Sequence, residues 1–133
     1  TEESIEHHGE FYQFEPVRFE PKPVQRPYPP IHIGGESNAA LQRVVRSGDG
    51  WYGIGHTRAT IKPVVKKLRD VVREDGRELP QLEIITAADV STRDELKRWE
   101  ELGVTRLVVC PWRRGSEAVD GLRRFADEVL NQA

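Results

Sequence analysis

The sequence contains one cysteine, no methionine and no long apolar run, and each shortage excludes a class of protein. Cys110 alone cannot form an internal disulfide, which fits a reducing cytoplasm. No apolar stretch approaches the roughly 18 residues of a membrane span, and residues 1–4 show neither the basic start nor the apolar core of a signal peptide. Twenty Lys and Arg residues are interspersed with 22 Asp and Glu residues. We therefore expect a cytoplasmic protein that binds neither a membrane nor nucleic acid.

Proline is concentrated near the N-terminus. Five of the nine prolines lie between Pro21 and Pro30. Proline fixes φ and removes a backbone donor, so this stretch favours an extended arm over a helix or a central strand. Upstream, residues 10–14 alternate loosely and predict a short edge strand or hairpin. We expect two parts, an extended proline-rich arm at residues 1–30 and a regular domain at residues 31–133.

From residue 31 onward, strand patterns and helix patterns alternate, which predicts a parallel sheet with right-handed crossovers. The length fits either a small open α/β sheet or half of a (β/α)₈ barrel, which needs about 250 residues. The strands are expected at 31–33, 51–54, 82–88 and 106–110, and the longest helix at 58–74. A further helix is expected to begin at Thr92, with Glu95 in its capping box, and to end at Gly103. The last helix, at about 116–131, is expected to bury Val119, Leu122, Phe125, Ala126, Val129 and Leu130.

The first strand runs into the sequence Gly34-Gly35-Glu36-Ser37-Asn38 at the start of a helix. Amides at a helix N-terminus are unpaired and carry partial positive charge. Glycine lets an anion approach the backbone closely, and the Ser37 hydroxyl adds a donor. These features together predict a phosphate-binding turn. The alternative is that the glycines only make a tight turn and Ser37 only caps the helix.

Four further residues are weaker candidates for contact with a substrate or a cofactor. His32 would face the interior of a barrel, although a core histidine is the simpler interpretation. Trp51 could line a cavity for a ring or pack in the lower layers of the barrel. His56 follows the second strand, and Arg113 follows the fourth, at the end of the sheet where barrel active sites lie. The histidines lack metal-ligand spacing, so no metal site is predicted.

The segment at residues 19–51 resembles the luciferase-like monooxygenase superfamily, and most of all its branch of probable coenzyme F420-dependent oxidoreductases. The motifs that carry the resemblance are Pro-Lys-Pro-x-Gln at 21–25, Pro-x-Pro-Pro-Ile at 27–31, Gly-Gly-x-Ser at 34–37 and Gly-Asp-Gly-Trp at 48–51. The match is dense over residues 9–53 and less specific toward the C-terminus.

The resemblance implies that this chain is the C-terminal half, (βα)₄, of a TIM (β/α)₈ barrel, covering its fifth to eighth units. It implies an oxidoreductase or monooxygenase that acts on a small molecule, with coenzyme F420 or alternatively FMN as cofactor, and with the turn of Gly35, Glu36 and Ser37 on the cofactor phosphate. Family members hold the catalytic acid or base in the first four units, so this half is assigned no catalytic residue and is expected to be inactive alone.

Two alternatives remain at this stage. The chain could instead be a non-catalytic half-barrel module that binds a phosphorylated ligand or a partner chain. In either case a half barrel exposes strand edges and interior apolar side chains. We therefore expect it to form a homodimer or to be completed by an N-terminal half.

Overall fold

The computed structural model describes residues 2–76 and 82–131. The chain divides into two compact units, Thr1–Pro30 and Ile31–Ala133. The first unit contains an antiparallel hairpin of β1 (Ile5–His8) and β2 (Gln13–Val17). Residues 10–14, the segment predicted as a strand or hairpin, supply part of the hairpin turn and the first residues of β2. The proline-rich residues from 18 to 30 form neither helix nor strand.

A parallel sheet organises the second unit, in the order β3-β4-β5-β6 among the described residues. A helix follows each of these strands, so the predicted α/β class with a parallel sheet is confirmed. The elements are β3 (His32–Gly34), α1 (Asn38–Ser47), β4 (Gly50–Gly53), α2 (Arg58–Glu74), β5 (Glu83–Ala87), α3 (Arg93–Glu101), β6 (Arg106–Val108) and α4 (Ala118–Phe125).

The two faces of the sheet have different environments. Ile33, Trp51 and Ile84 are in register, and all three pack in the core that the sheet forms with its helices. Side chains alternate along a strand, so Tyr52 and Ile85 lie on the opposite face. Neither of these two belongs to the helix-side core. The helices therefore cover one face, and we call the other, which carries His32, Tyr52, Ile85, Ala87 and Val108, the open face.

Hydroxyl side chains begin three of the helices. Ser37, Thr57 and Thr92 each accept a hydrogen bond from the amide three residues later, at 3.2–3.3 Å. These bonds satisfy one of the amides that a helix start leaves unpaired. The predicted capping of α3 by Thr92 is confirmed, and the Glu95 carboxylate accepts from the Ser91 amide at 2.8 Å.

The last helix packs on a narrower stripe than predicted. A 3₁₀ turn at Gly115–Glu117 precedes α4, and a π turn at Ala126–Leu130 follows it. Val129 is buried, and Phe125 packs against the core. The predicted burial of Val119, Leu122 and Leu130 is wrong, because these side chains are 51–60% exposed. The helix turns its Gly121 face to the Pro111 carbonyl, which a side chain at Gly121 would contact at 2.5 Å, and this close approach directs the three apolar side chains outward.

Thr86 on β5 gives a stability prediction. The residue is fully buried, and its Oγ1 has no hydrogen-bond partner among the described residues. A buried, unsatisfied polar group costs about 1–3 kcal/mol. Thr86→Val, which keeps the shape, should therefore raise the free energy of unfolding by about 1 kcal/mol in urea titrations. Thr86→Ser, the control that keeps the hydroxyl, should not raise it. A less stable valine variant would show that the hydroxyl is bonded in solution.

Candidate functional site

Gly35 gives the turn between β3 and α1 its shape. Its φ is +95°, in the left-handed region that side chains disfavour. A Cβ at this position would also lie 3.1 Å from the Cβ of Ala40 on α1. Gly34 is different, because a Cβ there would meet only the Tyr52 carbonyl oxygen, at an ordinary 3.5 Å. The turn therefore requires glycine at position 35 for both backbone and steric reasons, and tolerates a small side chain at position 34.

The N-terminus of α1 begins directly after this turn. Ser37 is the N-cap, with an extended backbone, and its Oγ accepts from the Ala40 amide at 3.2 Å. The amides of Asn38 and Ala39 precede that bond and have no intrahelical acceptor by the geometry of a helix start. No acidic residue lies in the first turn of α1. The partial positive charge of the helix end is thus not offset within α1.

Trp51 makes a hydrogen bond to the turn from the core. It was predicted either to line a cavity or to pack in the barrel, and the structure places its side chain fully buried between sheet and helices. Its indole N–H donates to the Gly35 carbonyl oxygen at 2.8 Å. The Glu36 amide belongs to the same trans peptide unit and points opposite to that carbonyl. Trp51 therefore orients the Glu36 N–H away from the core, although the Trp51 side chain itself is fully buried.

His56 reaches the turn from the end of β4. Only 6% of its side chain is exposed, and its ring centroid lies 5.5 Å from that of Trp51. Nε2 is 3.2 Å from Glu36 Oε1, close enough for an ion pair. The two atoms are not aligned as a hydrogen bond, and Nε2 has no hydrogen-bond partner among the described residues. The Lys67 ammonium donates to the Glu36 carbonyl oxygen at 3.3 Å and holds the turn from α2.

A cleft of about 610 Å³ lies beside His56, at the carboxyl ends of β4, β5 and β6. Its volume is in the range of small-molecule sites. Arg58 and the carboxylates of Asp89 and Glu95 line it together with apolar groups. The amide of Ser91, which donates to the Glu95 carboxylate, holds the pKa of Glu95 below its usual value. The cleft is therefore lined by both the Glu95 carboxylate and the Arg58 guanidinium.

The other two predicted residues lie away from the turn. His32 is at the amino end of β3, where its Nε2 is 2.6 Å from Glu83 Oε2. The second oxygen of Glu83 accepts from Arg106 at 2.7 Å, so Glu83 links the other two side chains on the open face. Arg113 follows β6, three strand spacings or about 14 Å from β3. It lines a second cleft, of about 490 Å³.

Sequence reasoning missed two residues of the site. Lys67 and Arg58 lie on α2, and neither belongs to a motif. Lys67 is one of several exposed lysines on that helix, and only the packing of α2 against α1 brings it to the turn. The helical spacing alone therefore held no signal for its role.

Two kinds of feature are missing from the described part of the chain, residues 2–76 and 82–131. No group of three or more His, Cys, Asp or Glu side chains there could hold a metal ion. No helix there is long and apolar enough to cross a lipid bilayer.

Curated relatives share sequence with nearly the whole chain. Two uncharacterized proteins of Mycobacterium tuberculosis are 31% identical over 139 residues and 37% identical over 133 residues. The FMNH(2)-dependent dimethylsulfone monooxygenase of Pseudomonas putida is 33% identical over 131 residues. The matches cover 97–98% of this chain but 47%, 45% and 33% of those relatives. The chain therefore spans about half, or less, of the length of the relatives it matches.

Solved structures share the fold. The matches include an F420-dependent secondary alcohol dehydrogenase in complex with an F420-acetone adduct and the coenzyme F420-dependent tetrahydromethanopterin reductase of Methanopyrus kandleri. Each has a TM-score of 0.71 at 11% identity. The matches cover 98% and 94% of this chain and 56% and 57% of those chains. The four βα units therefore correspond to about half of a luciferase-like TIM barrel, which confirms the half-barrel prediction.

The model of one family, luciferase-like monooxygenase, matches residues 1–128. This match includes both the hairpin unit and the four βα units, and thus extends well beyond the motifs at residues 19–51. The chain belongs to the luciferase-like monooxygenase family.

Proposed function

We propose that this chain supplies the cofactor-phosphate turn and four of the eight βα units of a flavin- or deazaflavin-dependent oxidoreductase. The observation that carries the proposal is the turn at Gly35. This turn connects the parallel strand β3 to α1, whose first amides have no intrahelical acceptor. Family membership supports it. Relatives that bear F420 or FMNH(2) in their names support either cofactor. We put coenzyme F420 first, on the motifs at 21–51, with FMN as the alternative.

A phosphate group fits the residues present. Gly35, whose φ is +95°, lets the turn pass close to α1, where a Cβ would crowd Ala40 at 3.1 Å. The Glu36 amide points away from Trp51, and the first amides of α1 lack intrahelical acceptors. Ser37 Oγ accepts from Ala40, so its own O–H remains available as a donor. We infer that the amides at Glu36, Ser37 and Asn38 and the Ser37 hydroxyl would hold the phosphate.

The bound cofactor would supply hydride exchange or oxygen activation through its ring. The residues of this chain would fix its phosphate at the carboxyl end of the sheet. The cleft of about 610 Å³ next to His56 offers space beside the turn for the rest of the cofactor or for a small substrate. The Trp51 indole keeps the turn in one orientation before the ligand arrives, which lowers the cost of ordering it on binding.

Substitutions at the two glycines test the site. Gly35→Val should lower the affinity for FMN and for coenzyme F420 by tenfold or more, because a branched side chain disfavours the left-handed backbone, crowds Ala40 and so displaces the amides of the turn; tenfold corresponds to about 1.4 kcal/mol. Gly34→Ala is the matched control and should change affinity little, since its Cβ makes only an ordinary contact. Fluorescence titration of each cofactor measures this. Unchanged affinity in a Gly35→Val variant that still melts cooperatively would contradict the assignment.

The same titrations separate the proposal from a non-catalytic module that binds any phosphorylated ligand. A cofactor site should prefer FMN or F420 over inorganic phosphate, because the ring also gains contacts. A module that recognises only the phosphate should bind FMN and inorganic phosphate with similar affinity. Riboflavin, which lacks the phosphate, should bind more weakly than FMN in either case.

A further inference from the structure

Glu36 is an unexpected residue at a turn that binds an anion. It directly precedes Ser37, the N-cap of α1, and its carboxylate lies against His56. The side chain is 55% exposed, so solvent is open to it on one side. On the other side it contacts a histidine that is almost fully buried. This pairing of an exposed acid with a buried base requires an explanation that the phosphate site alone does not give.

The buried partner is His56 Nε2. This atom is covered from solvent, and it has no hydrogen-bond partner among the described residues. Its nearest anion is Glu36 Oε1, at 3.2 Å. A buried polar atom without a partner carries a free-energy cost that an aligned acceptor would remove. The carboxylate covers Nε2 but does not satisfy it.

The surroundings allow the carboxylate to leave while the turn stays in place. Lys67 holds the Glu36 carbonyl oxygen at 3.3 Å, and Trp51 holds the Gly35 carbonyl oxygen at 2.8 Å. Both bonds are to the backbone, so neither restrains the Glu36 side chain. The His56 ring is fixed by its contact with Trp51 and by Thr60 Oγ1, 3.4 Å from Nδ1. Rotation of Glu36 into solvent would expose Nε2 at the turn, where it can donate in the form that carries its proton on this nitrogen.

We propose that Glu36 is a built-in competitor of the bound anion: its carboxylate lies against His56, and a phosphate group takes its place and accepts from His56 Nε2. This inference rests on the proposed phosphate site at the turn and adds His56 as a residue that contacts the ligand. The other charged groups near the exchange are Lys67 on α2, and Arg58, Asp89 and Glu95 in the adjacent cleft.

Inorganic phosphate binding to the 133-residue chain, followed by NMR, tests the exchange. Glu36→Gln should bind phosphate about fivefold more tightly, the upper end of what one exposed charge pair contributes. Glu36→Ala, which also uncovers His56 Nε2, should bind at least as tightly. Glu74→Gln removes the same charge at the far end of α2, about 24 Å along the helix from its start, and should have no effect.

A double-mutant cycle with His56→Phe distinguishes exchange from simple repulsion. Phenylalanine keeps a ring against Trp51 and removes the donor, so phosphate affinity should fall about fivefold, the scale of one hydrogen bond. In that background Glu36→Gln should improve binding less than twofold, because the carboxylate no longer competes for Nε2. The Trp51 indole N–H resonance reports in each variant that the turn is intact.

An equal gain from Glu36→Gln in both backgrounds would overturn the exchange and leave the phosphate site standing. Loss of phosphate binding in Gly35→Val, together with no response to any change at Glu36 or His56, would also overturn the exchange and leave the phosphate site standing. Failure of every variant to bind phosphate, Glu36→Ala included, would overturn the site and the exchange together.

Discussion

Trp51→Ala should lower the free energy of unfolding by about 3–5 kcal/mol, the usual cost of deleting a large buried aromatic side chain. The indole is fully buried, and its ring lies so close over Gly53 that a Cβ there would clash with it. Small domains have only about 5–15 kcal/mol of total stability. The loss should also release the Gly35 carbonyl and weaken cofactor binding at the turn. Urea unfolding and FMN titration measure the two effects.

Trp51→Phe is the matched control for this change. It keeps much of the packing but removes the N–H that donates to Gly35. Its cost in stability should be smaller, whereas the loss of cofactor affinity should persist. If Trp51→Phe bound FMN as tightly as the unmodified chain, the indole would act through packing alone, and its role in orienting the turn would be excluded.

The 133-residue chain should self-associate at micromolar concentration through the open face. Each large apolar side chain left in water forgoes about 1.5–3 kcal/mol. Val108 on this face is 45% exposed, and β3 and β6 have unpaired outer edges among the described residues. The relatives are about twice as long, and in them further βα units would cover this face. Without those units, two-fold pairing of two half barrels is the simplest closed arrangement.

Sedimentation equilibrium measures this association. Val108→Lys should weaken it by tenfold or more, because the change buries a charge in the interface. Val24→Lys introduces the same charge at a side chain that is 96% exposed in the arm, and should leave association unchanged. A monodisperse, cooperatively melting monomer would contradict the expectation that the open face needs a partner.

Local patterns were sufficient to predict most of the elements. The helix at Arg58–Glu74 was predicted with its observed ends, because its apolar residues repeat at helical spacing. The Thr92 cap followed from the same kind of local signal. The half-barrel alternative followed from the resemblance together with the count of βα units, and the structural neighbours, of which this chain covers 56% and 57%, confirmed it. The helix and the cap each follow from about 20 residues of chain, whereas the half barrel follows from the pattern of the whole second unit.

The contacts at the site depend on neighbours that are distant in sequence. His56 meets Glu36 because β3 and β4 are adjacent and their following loops meet at one edge. His32 meets Glu83 across 51 residues for a similar reason. The exposed stripe of α4 depended on which of its faces Gly121 brought to Pro111. The periodicity of apolar residues predicts that a helix has an apolar face, but the packing of the whole sheet decides which residues that face contacts.

The His32–Glu83 pair also bears on how the sheet avoids misalignment. These two residues lie in register on either side of Gly50 in β4. A Cβ at Gly50 would lie 2.6 Å from both the His32 ring and the Glu83 carbonyl oxygen, so the ring passes through the gap that a missing side chain leaves. A one-residue slip of β4 would bring Asp49 or Trp51 into that gap and turn every side chain of the strand to the other face. The missing side chain at Gly50 thus allows only one alignment of three strands, at the end of the sheet opposite to the turn at Gly35.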